Sequence, residues 1–234
     1  MIAPLPVDES DRLTALERYE ILDTEPERNF DDITRIASVI CRTPISAITL
    51  IDRDRQWLKS AVGLETSETT REQAFCAHTI LSSDLLVVED ATKDARFQDN
   101  PLVTGNPNIR FYAGAPLITP DRFRLGSLCV IDREPRTLTT EERSALESLS
   151  RMVMTELELR RISRELAHAV REVKSLTGLV PICAYCKDVR DDKGYWSRVE
   201  EYVSQKTGAD FSHGLCPKCA KVHFPESTPE PGAS

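Results

Sequence analysis

ISAITLIDRDRQWLKSAVG, residues 45–63, is where the chain changes period. Before it the apolar residues recur at helical spacing; within it they read as two strands joined by a short polar turn at Asp52 to Asp54. The first strand, 45–52, carries apolar residues on both parities: Ala47 and Ile51 on one face, Ile48 and Leu50 on the other. Such a strand is buried on both sides, so both faces of its sheet must be covered by other parts of the chain.

Upstream, a helix is expected from about Ser10 to Leu22, with Leu13, Leu16 and Tyr19 or Ile21 inward. EPERN breaks it, and Asn29 reads as the cap of a second helix carrying Phe30, Ile33, Ala37 and Ile40, which Pro44 ends. Downstream, TREQAFCAHTILSS reads as short helical or irregular chain and 85–90 as a strand. The polar connection 91–108 is longer than a turn needs, as functional loops often are. NIRFYAGAPLIT and 125–132 supply the last strands, with Pro120 and Asp121 starting the turn between them. Thr139 and Glu142 make a capping box that opens a long helix. Its first part, 140–157, suits packing on its own domain. From Leu159 the apolar residues Ile162, Leu166, Ala169, Val173 and Leu176 follow a heptad, with Arg and Glu between them, as in the seam of a homodimer. Gly178 stops the helix, and 225–234 has the composition of a disordered tail.

The totals narrow the function. With 40% apolar and 29% charged residues this is an ordinary globular composition. A net charge of −8 argues against nucleic acid or an anionic membrane as partner. No apolar run approaches the roughly 18 residues that span a bilayer, and MIAPLPVDES is not a secretory signal. The cytoplasm is the expected location, where stable disulfides are rare.

ALERYEILDTEPERNFDDITRIA, ITLIDRDRQWLKSAVGL, FCAHTI, VVEDATKDARFQDNPLVTG, IRFYAGAPL and LGSLCVIDREPR resemble bacterial GAF sensor domains from about Leu13 to Leu157. The resemblance implies an α+β fold: a six-stranded antiparallel sheet flanked by helices, with a ligand cavity on the face opposite them. It also implies cavity walls from Phe75, Cys76 and His78, from the loop 91–108, and from Arg110 and Tyr112, with Cys129 nearby. A cation, a phenol and an imidazole there would suit an anionic or aromatic small molecule. Each has a plainer reading: Cys76 and Cys129 as small core residues, His78 as a cap, Arg110 paired with Asp90 or Asp94. The family also includes free-methionine-sulfoxide reductases, in which cysteines do the chemistry. That alternative requires Cys76 and Cys129 to lie close enough to form a disulfide, although FCAHT and SLCVI do not match those enzymes' segments. The Asn-Lys-Phe-Asp-Glu pattern of cyclic-nucleotide-binding members is absent, as is the phytochrome context that bilin attachment would need. A third reading is a dimerisation module with no ligand.

PICAYC and HGLCPKC place Cys183 and Cys186, then Cys216 and Cys219, in two C-x-x-C pairs with 29 residues between them. Each spacing lets two thiolates chelate one ion from a turn, and two turns complete a tetrahedral site. A segment with so few apolar residues needs such a staple, so one structural zinc per chain in a treble-clef or ribbon-like module is expected. A redox-sensitive zinc or a thioredoxin-like dithiol is the alternative, and His213 and His223 are weaker ligands. The module resembles one at the C-termini of bacterial response regulators and sensor proteins. Seven Lys or Arg against six Asp or Glu over 183–221 favour a signalling-protein partner over nucleic acid.

The expected organisation is an N-terminal segment (1–12), a sensor domain (13–157), a coiled-coil linker (158–178), a zinc module (179–225) and a tail (226–234). The expected function is cytosolic signalling without catalytic chemistry of its own.

Overall fold

The computed structural model describes residues 2–176, 181–191 and 193–224, excepting the side chains of 172–176. Gly178, the tail at 225–234 and the side chains of Val173 and Leu176 lie outside the described residues. The chain divides into two units, Met1–Ala167 and His168–Ser234.

In the first unit, helices α1 (Glu9–Arg18) and α2 (Arg28–Cys41) precede the strands β1 (Ile45–Ile51), β2 (Arg55–Val62), β3 (Glu68–Thr70) and β4 (Leu86–Val88). Between β3 and β4 lies the one-turn α3 (Cys76–Thr79), and α4 (Pro101–Thr104) precedes β5 (Phe111–Ile118), β6 (Arg124–Asp132) and α5 (Thr140–Leu176). The six strands form one antiparallel sheet in the order β3-β2-β1-β6-β5-β4.

Every residue of β1 is buried. Ile48 and Leu50 join the core beneath α1, α2 and α5, while Ile45, Ala47 and Ile51 join a second core beneath α3, α4 and the 91–109 segment. Helix α5 contributes Leu146, Leu149, Val153, Met154 and Leu157 to the first core. The capping box forms as expected: Glu142 N–H donates to Thr139 Oγ1 at 3.2 Å, and Thr139 N–H to Glu142 Oε2 at 2.8 Å.

Three local expectations change. Helix α1 ends at Arg18, because Glu20 and Asp23 take left-handed backbone. Glu27 rather than Asn29 is the N-cap of α2, and Asn29 Nδ2 donates instead to Glu156 Oε1 at 2.6 Å. That helix ends at Cys41, where Arg42 turns left-handed before Pro44 is reached.

Two cations are fully buried on the helix side. Arg12 donates to Glu9 at 2.7 and 2.8 Å and to the Ile51 carbonyl at 2.7 Å. Lys59 Nζ donates to Thr24 Oγ1, to the Glu25 carbonyl and, at 2.7 Å, to Glu27 Oε1. The same Glu27 oxygen accepts from Arg160 Nε at 3.0 Å, so β2 and α5 meet at one carboxylate. Arg160 also donates to the Tyr19 and Glu20 carbonyls, and Tyr19 Oη donates to Glu158. Buried charge is tolerated only when paired in this way.

In the second unit, β7 (Val189–Arg190) pairs with β8 (Trp196–Ser197), followed by α6 (Val199–Thr207) and α7 (Pro217–His223). Val189 is buried, whereas Tyr185, Trp196, Phe211 and Leu215 are exposed. Among the described residues no helix is long and apolar enough to cross a membrane.

Candidate functional site

Strand parity assembles a polar cluster on the face away from the long helices. In the β1–β6 register Thr49 lies opposite Ser127 and Ala47 opposite Cys129, so the three polar side chains share one face. Tyr112 reaches them from β5, and α3 lowers Cys76 and Thr79 onto them. The Cys76 and Cys129 sulfurs are 3.9 Å apart. Tyr112 Oη donates to Cys76 Sγ at 3.3 Å, shares a 2.6 Å hydrogen bond with Thr79 Oγ1, and lies 3.4 Å from Ser127 Oγ. Gly114 makes room for the phenol: a Cβ there would lie 2.2 Å from Tyr112 Oη. Burial raises the Cys76 thiol, but hydrogen bonds from Cys129, Ser127, Thr49 and Tyr112 favour its thiolate. Donation to Cys76 and burial push Cys129 up, so Cys76 is the more acidic of the pair.

An aromatic lid closes this cluster. Phe75 stacks on Phe97 at 4.0 Å and 7° and meets Tyr112 at 5.2 Å, and His78 sets its edge to Phe97 at 4.7 Å. Phe75, Cys76, Tyr112 and Cys129 therefore come together, but packed against one another. His78 lies at the rim, lining a separate cleft with Ile2, Pro4 and Arg96. Arg110 stands apart: its Nη1 donates to the Val103 and Ile109 carbonyls at 2.8 and 3.1 Å. Neither expected acid holds it, since Asp90 pairs with Lys93 and Asp94 with Arg96.

One of the open volumes lies alongside. A cavity of about 590 Å³ is lined by Gln56 and Leu58 of β2, the 63–66 loop, Thr69, Leu102, Asn106, Ile109, Ile131 and Arg133. Gln56 Nε2 donates to Thr69 Oγ1 at 3.2 Å, while its Oε1 is buried with no hydrogen-bond partner. Sequence reasoning pointed to the 91–108 connection but not to Gln56, Thr69 or Arg133. Those residues lie far apart in the chain, and only the strand register brings them together.

In the second unit Cys183 and Cys186 flank a turn, while Cys216 caps α7 and Cys219 lies in its first turn. Backbone N–H groups of Cys186 and Tyr185 lower the Cys183 thiol, and those of Cys219 and Lys218, with the Cys219 thiol, lower Cys216. Cys219 N–H lies 3.5 Å from Cys216 Sγ at the start of α7. Among the described residues no three His, Cys, Asp or Glu side chains gather into a metal-sized cluster, and the two pairs stand as two. His213 and His223 are exposed.

Comparison with known proteins bears on the first unit. The family model described as GAF domain matches residues 25–157. A cyclic di-GMP phosphodiesterase of Pseudomonas aeruginosa is 43% identical over 155 residues, which are 66% of this chain and 26% of that protein. The chain thus spans about a quarter of the length of this relative. The expectation of a protein without catalytic chemistry is corrected by it, because the relative is named as an enzyme. Among solved structures, the GAF domain of an Acinetobacter phosphoenolpyruvate-protein phosphotransferase is similar with a TM-score of 0.49 and 19% identity, covering 71% of this chain and 98% of that one. Free methionine-R-sulfoxide reductase from Neisseria meningitidis, solved with its substrate, is similar with a TM-score of 0.49 and 14% identity, covering 63% and 88%.

Proposed function

The chain belongs to the GAF domain family, matched over residues 25–157, and we propose on that premise that its first unit is the sensing part of a cytoplasmic protein engaged in cyclic di-GMP signalling. The observation that carries the reading is the cavity of about 590 Å³ beside the sealed thiol cluster, a size that suits a small organic ligand. Leu58, Leu102, Ile109 and Ile131 offer an apolar wall; Gln56, Thr69, Asn106 and Arg133 offer hydrogen bonds and a positive charge. Such a site favours a ligand with an apolar body and a polar or anionic edge. The 43% identity to a cyclic di-GMP phosphodiesterase supports the pathway. A ligand that favours one arrangement of β2 biases Lys59, Glu27 and Arg160, and through them α5. The exposed heptad residues Leu159, Ile162 and Leu166 support reading α5 as the dimerising element.

Bacteria expressing the intact chain are expected to show a shifted cyclic di-GMP level, and a cavity-filling Ile131→Trp chain, folded by circular dichroism, to lose the shift. Equal levels with and without the chain would overturn the reading.

The second unit is read as a zinc-stabilised surface for a signalling-protein partner. The donor chemistry supports this reading: four thiols in two C-x-x-C pairs, with backbone N–H groups that favour the thiolate at Cys183 and Cys216. Zinc held by Cys183, Cys186, Cys216 and Cys219 would supply the folding free energy that this small core lacks.

The 3.9 Å sulfur separation favours a second reading, redox sensing or thiol chemistry at Cys76 and Cys129. Hydrogen peroxide would oxidise the Cys76 thiolate to a sulfenic acid, losing one oxygen as water. Attack by Cys129 then forms the disulfide and releases the other oxygen as a second water. Peptide mapping after peroxide treatment should find the Cys76–Cys129 bridge; two reduced thiols would dismiss this reading.

A further inference from the structure

The polar groups around the cavity beside the thiol cluster sort by sign. A bulge in β2 sets the first of them. Ile48 pairs with Ser60 and Thr49 with Leu58, so Lys59 is the extra residue. Lys59 turns to Glu27 on the helix side, while Gln56 and Leu58, two apart, share the cavity face. Gln56 is 8% exposed; its Nε2 is committed to Thr69 Oγ1, and its Oε1 is buried with no hydrogen-bond partner. Folds rarely strand such an acceptor, and this one lines a cavity, which points to a donor from outside the chain. Glu65, from the loop after β2, lines the same cavity and has no ion pair among the described residues. The 102–109 segment and the end of β6 bring donors instead, Asn106 and Arg133. Arg133 Nε donates to the Pro107 carbonyl at 3.2 Å, and among the described residues its guanidinium meets no carboxylate. Either exposed charge alone is an ordinary solvated side chain. A carboxylate and a guanidinium that share one cavity with a stranded acceptor, and do not pair with each other, are a different matter.

We propose that this cavity takes a small zwitterion with an apolar side chain, an α-amino acid by chemical class, an inference that rests on reading the cavity as the ligand site. The ammonium of such a ligand donates to Gln56 Oε1 and Glu65, and its carboxylate accepts from Arg133 and Asn106. Its side chain lies against Leu58, Leu102, Ile109 and Ile131. The two simpler classes fit less well. A plain anion leaves the Gln56 acceptor unmet and shares the cavity with the Glu65 carboxylate. A plain cation leaves Arg133 without a partner and adds a second positive charge beside it.

The test is isothermal titration calorimetry of the intact chain. The probes are L-leucine and L-phenylalanine, each beside its analogue without the amine (4-methylpentanoate, 3-phenylpropanoate) and its analogue without the carboxylate (3-methylbutylamine, 2-phenylethylamine). At least one amino acid is expected to bind, and both of its analogues to bind roughly tenfold or more weakly. Glu65→Gln and Arg133→Gln alter exposed side chains and are each expected to weaken the amino acid roughly fivefold or more; unchanged affinity in both overturns the proposal. An amine-free analogue that binds as tightly as its parent overturns the zwitterion and leaves an anion site. No binding by either amino acid overturns the class. The cavity reading then stands if Ile131→Trp still abolishes the cyclic di-GMP shift, and falls if it does not. Amino-acid binding that survives both Ile131→Trp and Gln56→Leu, each folded by circular dichroism, lies elsewhere on the chain and overturns the proposal.

Discussion

Tyr112 shows what a single side chain does in this fold. Its ring packs against Phe75 and its hydroxyl is shared among Thr79, Cys76 and Ser127, all out of reach of water. Replacing it with Phe keeps the ring and strands the Thr79 hydroxyl. Tyr112→Phe is expected to cost about 1–3 kcal/mol, read as a lower urea midpoint at unchanged slope. Glu9 gives a pH signature. Burial opposes its charge, but the hydrogen bonds from Arg12 and Arg71 prevail and hold it at about 2, below the usual 4.5. Its contribution to stability is complete above about 4.5 and is lost as the pH falls towards 2. The fall in urea midpoint across that window should therefore be shallower in Glu9→Gln; identical slopes would exclude the pairing. Arg12 and Lys59 were not legible as core residues, since an isolated charge on a helix or strand is normally read as solvent-facing. Arg12 pairs with Glu9 of its own helix and with the Ile51 carbonyl of β1, and Lys59 with Thr24, Glu25 and Glu27; only the fold shows both cations buried on these partners. Phe75, Cys76, Tyr112 and Cys129 were legible as one group through the family likeness. Phe97, which closes the lid, was not, because it lies in a polar stretch without periodicity.

At the scale of elements, signals carried by local chemistry were legible. The Thr139–Glu142 box starts α5, and the double parity of 45–52 marks the central strand. Thr139→Ala should cost about 1 kcal/mol, measured by thermal unfolding of the intact chain. Elements held by neighbours were not legible: β3 is only Glu68–Thr70, polar throughout, and becomes a strand by pairing with β2. Close approach also left little trace. At Gly126 a Cβ would lie 1.9 Å from the Thr49 carbonyl oxygen, inside the β1–β6 ladder. Gly126→Ala must push the two central strands apart, and a loss of about 1–3 kcal/mol or more is expected; a wild-type melting temperature would refute the tight packing.

For the whole molecule, the two units should respond to different treatments. On the zinc reading, native mass spectrometry of the intact chain finds one zinc per chain. A chelator should then abolish amide protection across 181–224 while the sensor unit keeps its own. A metal-free chain with four alkylatable thiols in the second unit would remove that reading. The cavity was the least legible part at this scale, because its lining is contributed by loops and strand ends that share no motif.

Glu27 answers to two cations through one oxygen. At a simple ion pair, a charge reversal on one side is rescued by the opposite reversal on the other. Here, exchanging the charges of Glu27 and Lys59 would still leave Arg160 facing a cation. Substitutions at this junction must travel in threes, so among descendants of this chain positions 27, 59 and 160 are expected to change together or not at all.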